Sequence, residues 1–156
     1  MKTFLYLFVL LLFFSCGKNS RKSEPEVFQE TITHLTYLDL VNNHRLNLGL
    51  KALEYSPIIE EFALSHSFDM AKGKVRFGHS GMKKRCRRLQ DELRSTACGE
   101  IVAKGQKTAG EVFNAWMNSP DHRRTIENQE YTHTGLGFKE DSQGQMFWTQ
   151  IFLRLP

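Results

Sequence analysis

The segment that decides the fold is THTGLGFKEDSQGQMFWTQIFL, residues 132–153, near the C-terminal end of the chain. The sequence predicts two strands here, at residues 132–139 and 145–153, and each segment is a short run typical of a strand. Between them lies Asp141-Ser142-Gln143-Gly144, whose residue types are those of a tight turn. The sequence therefore predicts a terminal β-hairpin.

Two amphipathic helices are predicted ahead of this hairpin. Residues 27–48 form the first, because apolar residues recur there at helical spacing: Phe28, Ile32, Leu35, Leu38 and Val41. Ser56 and Pro57 suit the N-cap and first turn of the second, which Gly73 ends. On this interpretation His66 lies on the inner side of the second helix and is a hydrogen-bonded core residue.

The middle of the chain is predicted to hold shorter elements: a loop at 77–81, a basic helix at 82–94, a strand at 100–104, a helix at 108–118 and a short helix from Ser119. Helices, a short strand, more helices and a hairpin favour an α+β class, with helices packed on a small antiparallel sheet. The sequence contains no phosphate-binding glycine loop, CxxC pair, HExxH or GxSxG motif.

The N-terminus has the pattern of an export signal. Lys2 precedes an unbroken apolar run of eleven residues, Phe4 to Phe14, which is too short for a membrane-spanning helix of roughly 20 residues. Ser15-Cys16-Gly17 follows and resembles a bacterial lipoprotein signal, in which the cysteine is acylated. We expect a signal peptide at 1–15, a lipidated Cys16 with a polar tether at 16–26, and a domain at 27–156. Cleavage without lipidation, giving a secreted protein, is the alternative.

The net charge gives no support for nucleic-acid binding. Removing residues 1–16 deletes a single lysine and no acid, so the net charge of +4 becomes +3, too small to predict nucleic-acid binding. Five basic residues nevertheless fall within six positions at 83–88. A solvated helix face is the simpler interpretation of this cluster, and contact with anionic envelope polymers or lipid head groups is the other.

Two cysteines, Cys86 and Cys98, remain once Cys16 is assigned to the anchor. An even number of cysteines in an exported protein favours one disulfide. Two buried thiols are the alternative.

An ordered series of short motifs resembles one family. It runs through Asn42-x-x-Arg45, Ala63-x-x-His66, Phe77-x-His79, Gly99-Glu100, Glu111, Trp116-Met117-x-Ser119-Pro120-x-His122, Gly135-x-Gly137 and Phe147-Trp148-Thr149-Gln150. The series is similar to the CAP superfamily, which includes cysteine-rich secretory and pathogenesis-related proteins, in its compact SCP-like form. Ile101 replaces the asparagine that usually follows Gly-Glu in that family.

The resemblance implies a three-layer α-β-α sandwich around an antiparallel sheet of about three strands. It also implies a cleft lined by His79, Glu100, Glu111 and His122. Two imidazoles and two carboxylates suit Zn²⁺ or another divalent metal. The same four groups can instead form a metal-free His–Glu hydrogen-bond network.

Three functions remain open on the sequence. The favoured one is a binding module for an envelope or extracellular ligand, whether a lipid, a polysaccharide or a peptide, because no serine or cysteine lies in a nucleophile motif. The second is a metal-assisted hydrolase with Glu100 or Glu111 as general base. The third is a structural envelope protein with an inert cleft.

Overall fold

The computed structural model describes residues 24–156, and its side chains are described at Gln29 and from Thr33 onward. The expected signal peptide and the lipidation site Cys16 therefore lie outside the described residues. The elements are α1 (Glu24–Asn47), β1 (Glu54–Tyr55), α2 (Pro57–Ala71), α3 (Met82–Leu93), β2 (Ala97–Lys104), α4 (Ala109–Met117), α5 (Pro120–Ile126), β3 (His133–Glu140) and β4 (Met146–Arg154). No described helix combines the length and the apolarity that crossing a membrane requires.

Local sequence signals set most helix boundaries. Ser56 caps α2 by accepting a hydrogen bond from the backbone of Ile59, and Thr108 caps α4 in the same way through Glu111. Helix α1 begins at Glu24, three residues before the predicted start. The predicted inner stripe of α1 is confirmed at Val41, which is fully buried, but was wrong at Leu35, which is 55% exposed, and it missed Tyr37, which packs in the core.

The sheet is four-stranded, in the order β1-β3-β4-β2. The three longer strands are antiparallel, as predicted, but β1 pairs parallel to β3 through Glu54 and Tyr55. The sheet is therefore mixed and not purely antiparallel. A strand of two residues has no alternation of polar and apolar residues to reveal it in the sequence.

Helix α2 packs directly on one face of the sheet. A Cβ atom at Gly135 would overlap the backbone of Ile59 and Glu60, and one at Gly137 would overlap the backbone of Leu64. The two glycines of β3 therefore let the helix lie closer to the strand than any side chain would allow.

Helices α1 and α4 cover the other face. Tyr37 of α1 and Trp116 of α4 meet edge to face, at a centroid separation of 5.5 Å, and both belong to a core cluster that includes Trp148 and Phe152 of β4. Together with α2 and α3 on the opposite side, they form the expected three-layer α-β-α sandwich.

Arg45 joins α1 to the segment that precedes β3. Its side chain is fully buried and donates hydrogen bonds to the carbonyl oxygens of Lys51, Ile126, Asn128 and Tyr131. These bonds hold the end of α5 and the loop after it against α1, so they fix the element that carries His122.

Candidate functional site

The candidate site lies at the edge strand β2. Side chains alternate along this strand, so Cys98, Glu100 and Val102 share the face covered by α2 and α3. The Glu100 side chain is only 1% exposed, and a buried carboxylate requires charged or hydrogen-bonding partners.

Arg85 of α3 is the main partner of that carboxylate. Its Nε donates to Oε2 of Glu100 at 2.8 Å, and its Nη2 lies 2.9 Å from Oε1 and 2.7 Å from Oε2. Nη1 donates to the carbonyl of Ser80 at 2.8 Å. The guanidinium, 15% exposed, therefore engages both carboxylate oxygens and the loop beside them in a fork-shaped, charge-assisted contact.

A disulfide holds α3 on β2 next to this ion pair. Cys86 and Cys98 are bonded, with their Cα atoms 5.8 Å apart, which confirms the predicted bridge. Cys86 follows Arg85 directly on the helix, and Cys98 precedes Glu100 by two residues on the same strand face. The covalent link thus fixes the distance across which the guanidinium reaches the carboxylate.

His79 completes the contacts of Glu100 from the loop between α2 and α3. Its Nδ1 lies 3.0 Å from Oε1 of Glu100, while the imidazole is 47% exposed. The loop is held by His66, whose Nε2 donates to the carbonyl of Gly78 at 2.8 Å, and Gly78 adopts a positive φ of 132°. The prediction of His66 as a hydrogen-bonded core histidine is confirmed.

His122 approaches the same edge from the other layer of the sandwich. It sits in the first turn of α5, a helix that Ser119 and Pro120 begin and that contacts β2. Burial lowers the pKa of His122, and the positive charge of a protonated His79 lowers it further. His79 therefore lies close enough to His122 for its charge to act on the second imidazole.

Glu111 is not brought into this group. It is exposed in the first turn of α4, and its Oε2 accepts a hydrogen bond from the backbone N–H of Lys107 at 2.8 Å. Across residues 24–156 no group of three or more His, Cys, Asp or Glu side chains is placed to hold a metal ion. The structure therefore joins His79 to Glu100, carries His122 on a helix that contacts β2, and gives the Glu111 carboxylate a contact with Lys107.

Comparison with known proteins identifies the family. Residues 38–152 match the model of the cysteine-rich secretory protein family, CAP. The chain belongs to the CAP family.

Bacterial relatives share this CAP domain. The uncharacterized Bacillus subtilis protein YkwD is 37% identical over 121 residues, which cover 74% of this chain and 45% of the relative. An extracellular SCP-domain protein from Bacillus anthracis superposes with a TM-score of 0.71 at 25% identity, covering 86% of this chain and 45% of the other. An outer surface protein of Borrelia burgdorferi has a TM-score of 0.67 at 19% identity, with coverages of 87% and 98%. This chain spans less than half the length of the curated relatives it matches.

Arg85 is the site residue that the CAP resemblance did not predict. It belongs to the run of basic residues at 83–88, for which a solvated helix face was the simpler interpretation. The signal was present, because Arg85 adjoins Cys86 and the disulfide partner Cys98 lies two residues before Glu100. A bridged pair at those positions brings the residues beside it together.

Proposed function

We propose that this CAP chain is an exported envelope protein whose cleft recognises a ligand and does not carry out hydrolysis. The observation that carries the proposal is the contact of Arg85 with both carboxylate oxygens of Glu100. We define the recognition site as His79, Arg85, Glu100 and His122.

The ion pair disfavours general-base chemistry at Glu100. A general base needs a free lone pair within hydrogen-bond reach of a substrate or a water molecule. Here the carboxylate is buried, and Arg85 and His79 occupy its oxygens. Glu100 therefore serves to hold Arg85 and His79 in place.

The same contacts argue against a four-ligand metal site. Zn²⁺ sites in proteins use ligands whose lone pairs are free to coordinate the ion. Glu111 is bonded elsewhere, and a cation at Glu100 would adjoin the fixed charge of Arg85. Metal binding at this cleft stays a prediction from the sequence, and our proposal does not require it.

His79 and His122 are the groups available to a ligand. A bond from Nδ1–H of His79 to Glu100 leaves Nε2 as an acceptor, and burial keeps His122 in its neutral form. Imidazoles at a half-exposed edge suit hydrogen bonding to hydroxyl, amide or head-group atoms. The ligand class is accordingly an envelope lipid, polysaccharide or peptide.

Export and anchoring rest on separate observations. The apolar run before Cys16 is typical of a lipoprotein signal, and the Cys86–Cys98 disulfide suits an oxidising compartment. Two of the bacterial structures that resemble this chain are described as an extracellular and an outer surface protein. We expect the mature domain to be tethered to the envelope through Cys16.

A hydrolase remains the second candidate because of one feature. An exposed histidine oriented by a buried carboxylate is the arrangement that enzymes use for a general base. His79 would then accept the proton of an attacking water, and Glu100 would hold the ring.

Ligand capture and turnover distinguish the two functions. Protein purified from its native membrane is analysed for bound molecules by mass spectrometry, and peptide and ester substrates are tested with and without Zn²⁺. We expect a co-purifying ligand that His79→Ala loses, with no turnover. His34→Ala is the matched control, because His34 pairs with Glu60 away from the site. Turnover abolished by His79→Ala and by Glu100→Gln would favour the hydrolase.

A further inference from the structure

Positive charge is concentrated in one short segment. Residues 72–88 contain eight of the 21 Lys and Arg residues of the chain and no Asp or Glu. Because the whole chain has a net charge of only +4, the remaining residues are net negative. The segment is therefore a basic region on an otherwise acidic protein, and the recognition site uses only Arg85 and His79 from it.

Most basic residues of helix α3 lie on the face opposite to the one that packs on the domain. The inner face consists of Met82, Arg85, Cys86, Leu89 and Leu93, all buried or half-buried. The outer face of its first two turns consists of four exposed basic residues, Lys83, Lys84, Arg87 and Arg88. Within this outer set, the Arg88 guanidinium lies over the Phe62 ring, 4.7 Å from its centroid.

The placement of these charges is unfavourable for the helix itself. The first turn of a helix favours acidic side chains, because the N-terminal end of the helix dipole is positive. Helix α3 has no acid in its first turn and starts instead with Lys83 and Lys84. The outer basic face thus opposes helix stability, and a partner that binds it would explain why it is there.

A second basic group adjoins α3. Lys72 and Lys74, at the end of α2, both lie over the half-exposed ring of Phe68, at 5.8 and 4.9 Å. Between this group and α3 is a cavity of about 370 Å³ with Lys84 and Arg88 in its wall. The acid that lines the cavity, Asp69, is paired with Lys74 at 3.2 Å.

We propose that this surface, the outer face of α3 with Lys72 and Lys74, docks on a bilayer that contains anionic phospholipid. Basic side chains near such a surface are attracted to it, and the cavity offers room for a head-group phosphate. Phe77, 50% exposed, lies between the two basic groups in the sequence and supplies an apolar side chain that can enter the head-group boundary. Docking would set the orientation of the domain and would leave the recognition site at the membrane level.

Lysine footprinting of the full chain tests the proposal. The protein is incorporated into vesicles of phosphatidylcholine, with or without phosphatidylglycerol, and exposed lysines are acylated and located by mass spectrometry. With anionic lipid we expect severalfold slower labelling of Lys72, Lys74, Lys83 and Lys84. Labelling of Lys51 and Lys107, exposed outside the segment, should not change.

Salt and a charge-matched pair of variants complete the design. High salt should abolish the protection without releasing a lipid-anchored chain, because exposed charges are screened. The double variant Arg87→Gln/Arg88→Gln should remove most of the protection from labelling. The control Arg124→Gln/Arg154→Gln deletes equal charge from exposed positions elsewhere and should leave the protection in place.

Three results would overturn the proposal. They are equal protection on neutral vesicles, equal loss in both double variants, and protection by a soluble polyanion but not by vesicles. The last would assign the surface to a polymer partner. None of these results bears on ligand capture by the recognition site, so the two proposals fail separately.

Discussion

Arg85 and Glu100 form a nearly buried ion pair in which one guanidinium spans both oxygens of one carboxylate. It connects helix α3 to the edge strand β2 beside His79. Because Arg85 engages both oxygens of Glu100, this carboxylate is part of the scaffold of the site and is not free to serve as a base or a metal ligand.

Breaking this pair from one side should destabilise the fold. Arg85→Met leaves the buried Glu100 carboxylate without its cation, and removal of one partner of a buried pair costs about 3 kcal/mol. Urea denaturation measures the loss, and Arg87→Met, at an exposed position of the same helix, should change stability by less than about 0.5 kcal/mol. The double variant Arg85→Met/Glu100→Gln should recover part of the loss. Equal stability of Arg85→Met and the wild type would show that the pair does not form.

The disulfide should contribute independently of the ion pair. It closes a loop with a sequence separation of 12, for which chain-entropy arguments give about 3 kcal/mol. Cys86→Ala/Cys98→Ala should therefore lower the free energy of unfolding by about that amount. A reductant should lower the melting temperature of the wild type but not of the double variant. An unchanged melting temperature of reduced wild type would contradict this account of how α3 is held.

Gly137 should tolerate no side chain. A Cβ atom there would overlap the backbone of Leu64, so Gly137→Ala must displace α2 from β3 at a cost of about 2 kcal/mol or more. Gly110→Ala is the matched control, because nothing lies within 4 Å of a Cβ at that helical position. It should be neutral or stabilising by about 0.5 kcal/mol. Equal effects of the two substitutions in thermal melts would contradict the close approach of helix and strand.

Acid should destabilise the domain through His66. Burial lowers the pKa of His66, the charge of Arg85 lowers it further, and Glu100, Asp69 and the Gly78 carbonyl oppose the shift. The unfolded chain binds this proton near pH ~6.5, so folding stability is lost as pH falls from there toward the lower pKa of the folded state. The loss in melting temperature between about pH 7.5 and about pH 5.5 should be smaller in His66→Gln than in wild type. Equal losses would assign the acid sensitivity to other groups.

Sequence was sufficient where a signal was local. The hairpin was predictable because Asp141–Gly144 has turn chemistry, and the start of α2 because Ser56 and Pro57 precede a helical pattern. The even number of cysteines left after Cys16 favoured the disulfide over two thiols, and the structure confirms it. The two-residue strand β1 is too short to show an alternation of polar and apolar residues. The exposure of Leu35 depended on which side of α1 faces the sheet.

The site was predictable only in part, for a physical reason. The motif series indicated His79 and Glu100, which the structure joins, and His122, which lies on a helix that contacts the same strand. The partners of a buried charge, however, depend on how helices and strands pack in three dimensions, and a single sequence does not show this. Arg85 was therefore missed although it holds Glu100, and the contact of Glu111 with Lys107 was not foreseen.

Zinc titration by calorimetry tests the central claim, that Glu100 is committed to Arg85, most directly. We expect wild-type protein to show no tight Zn²⁺ binding, and Glu100→Gln to leave its titration unchanged. Arg85→Met, which frees the carboxylate beside His79 and His122, should increase Zn²⁺ affinity. Tight, stoichiometric binding to the wild type that Glu100→Gln abolishes would contradict the account, because Glu100 would then be a metal ligand and not a partner of Arg85.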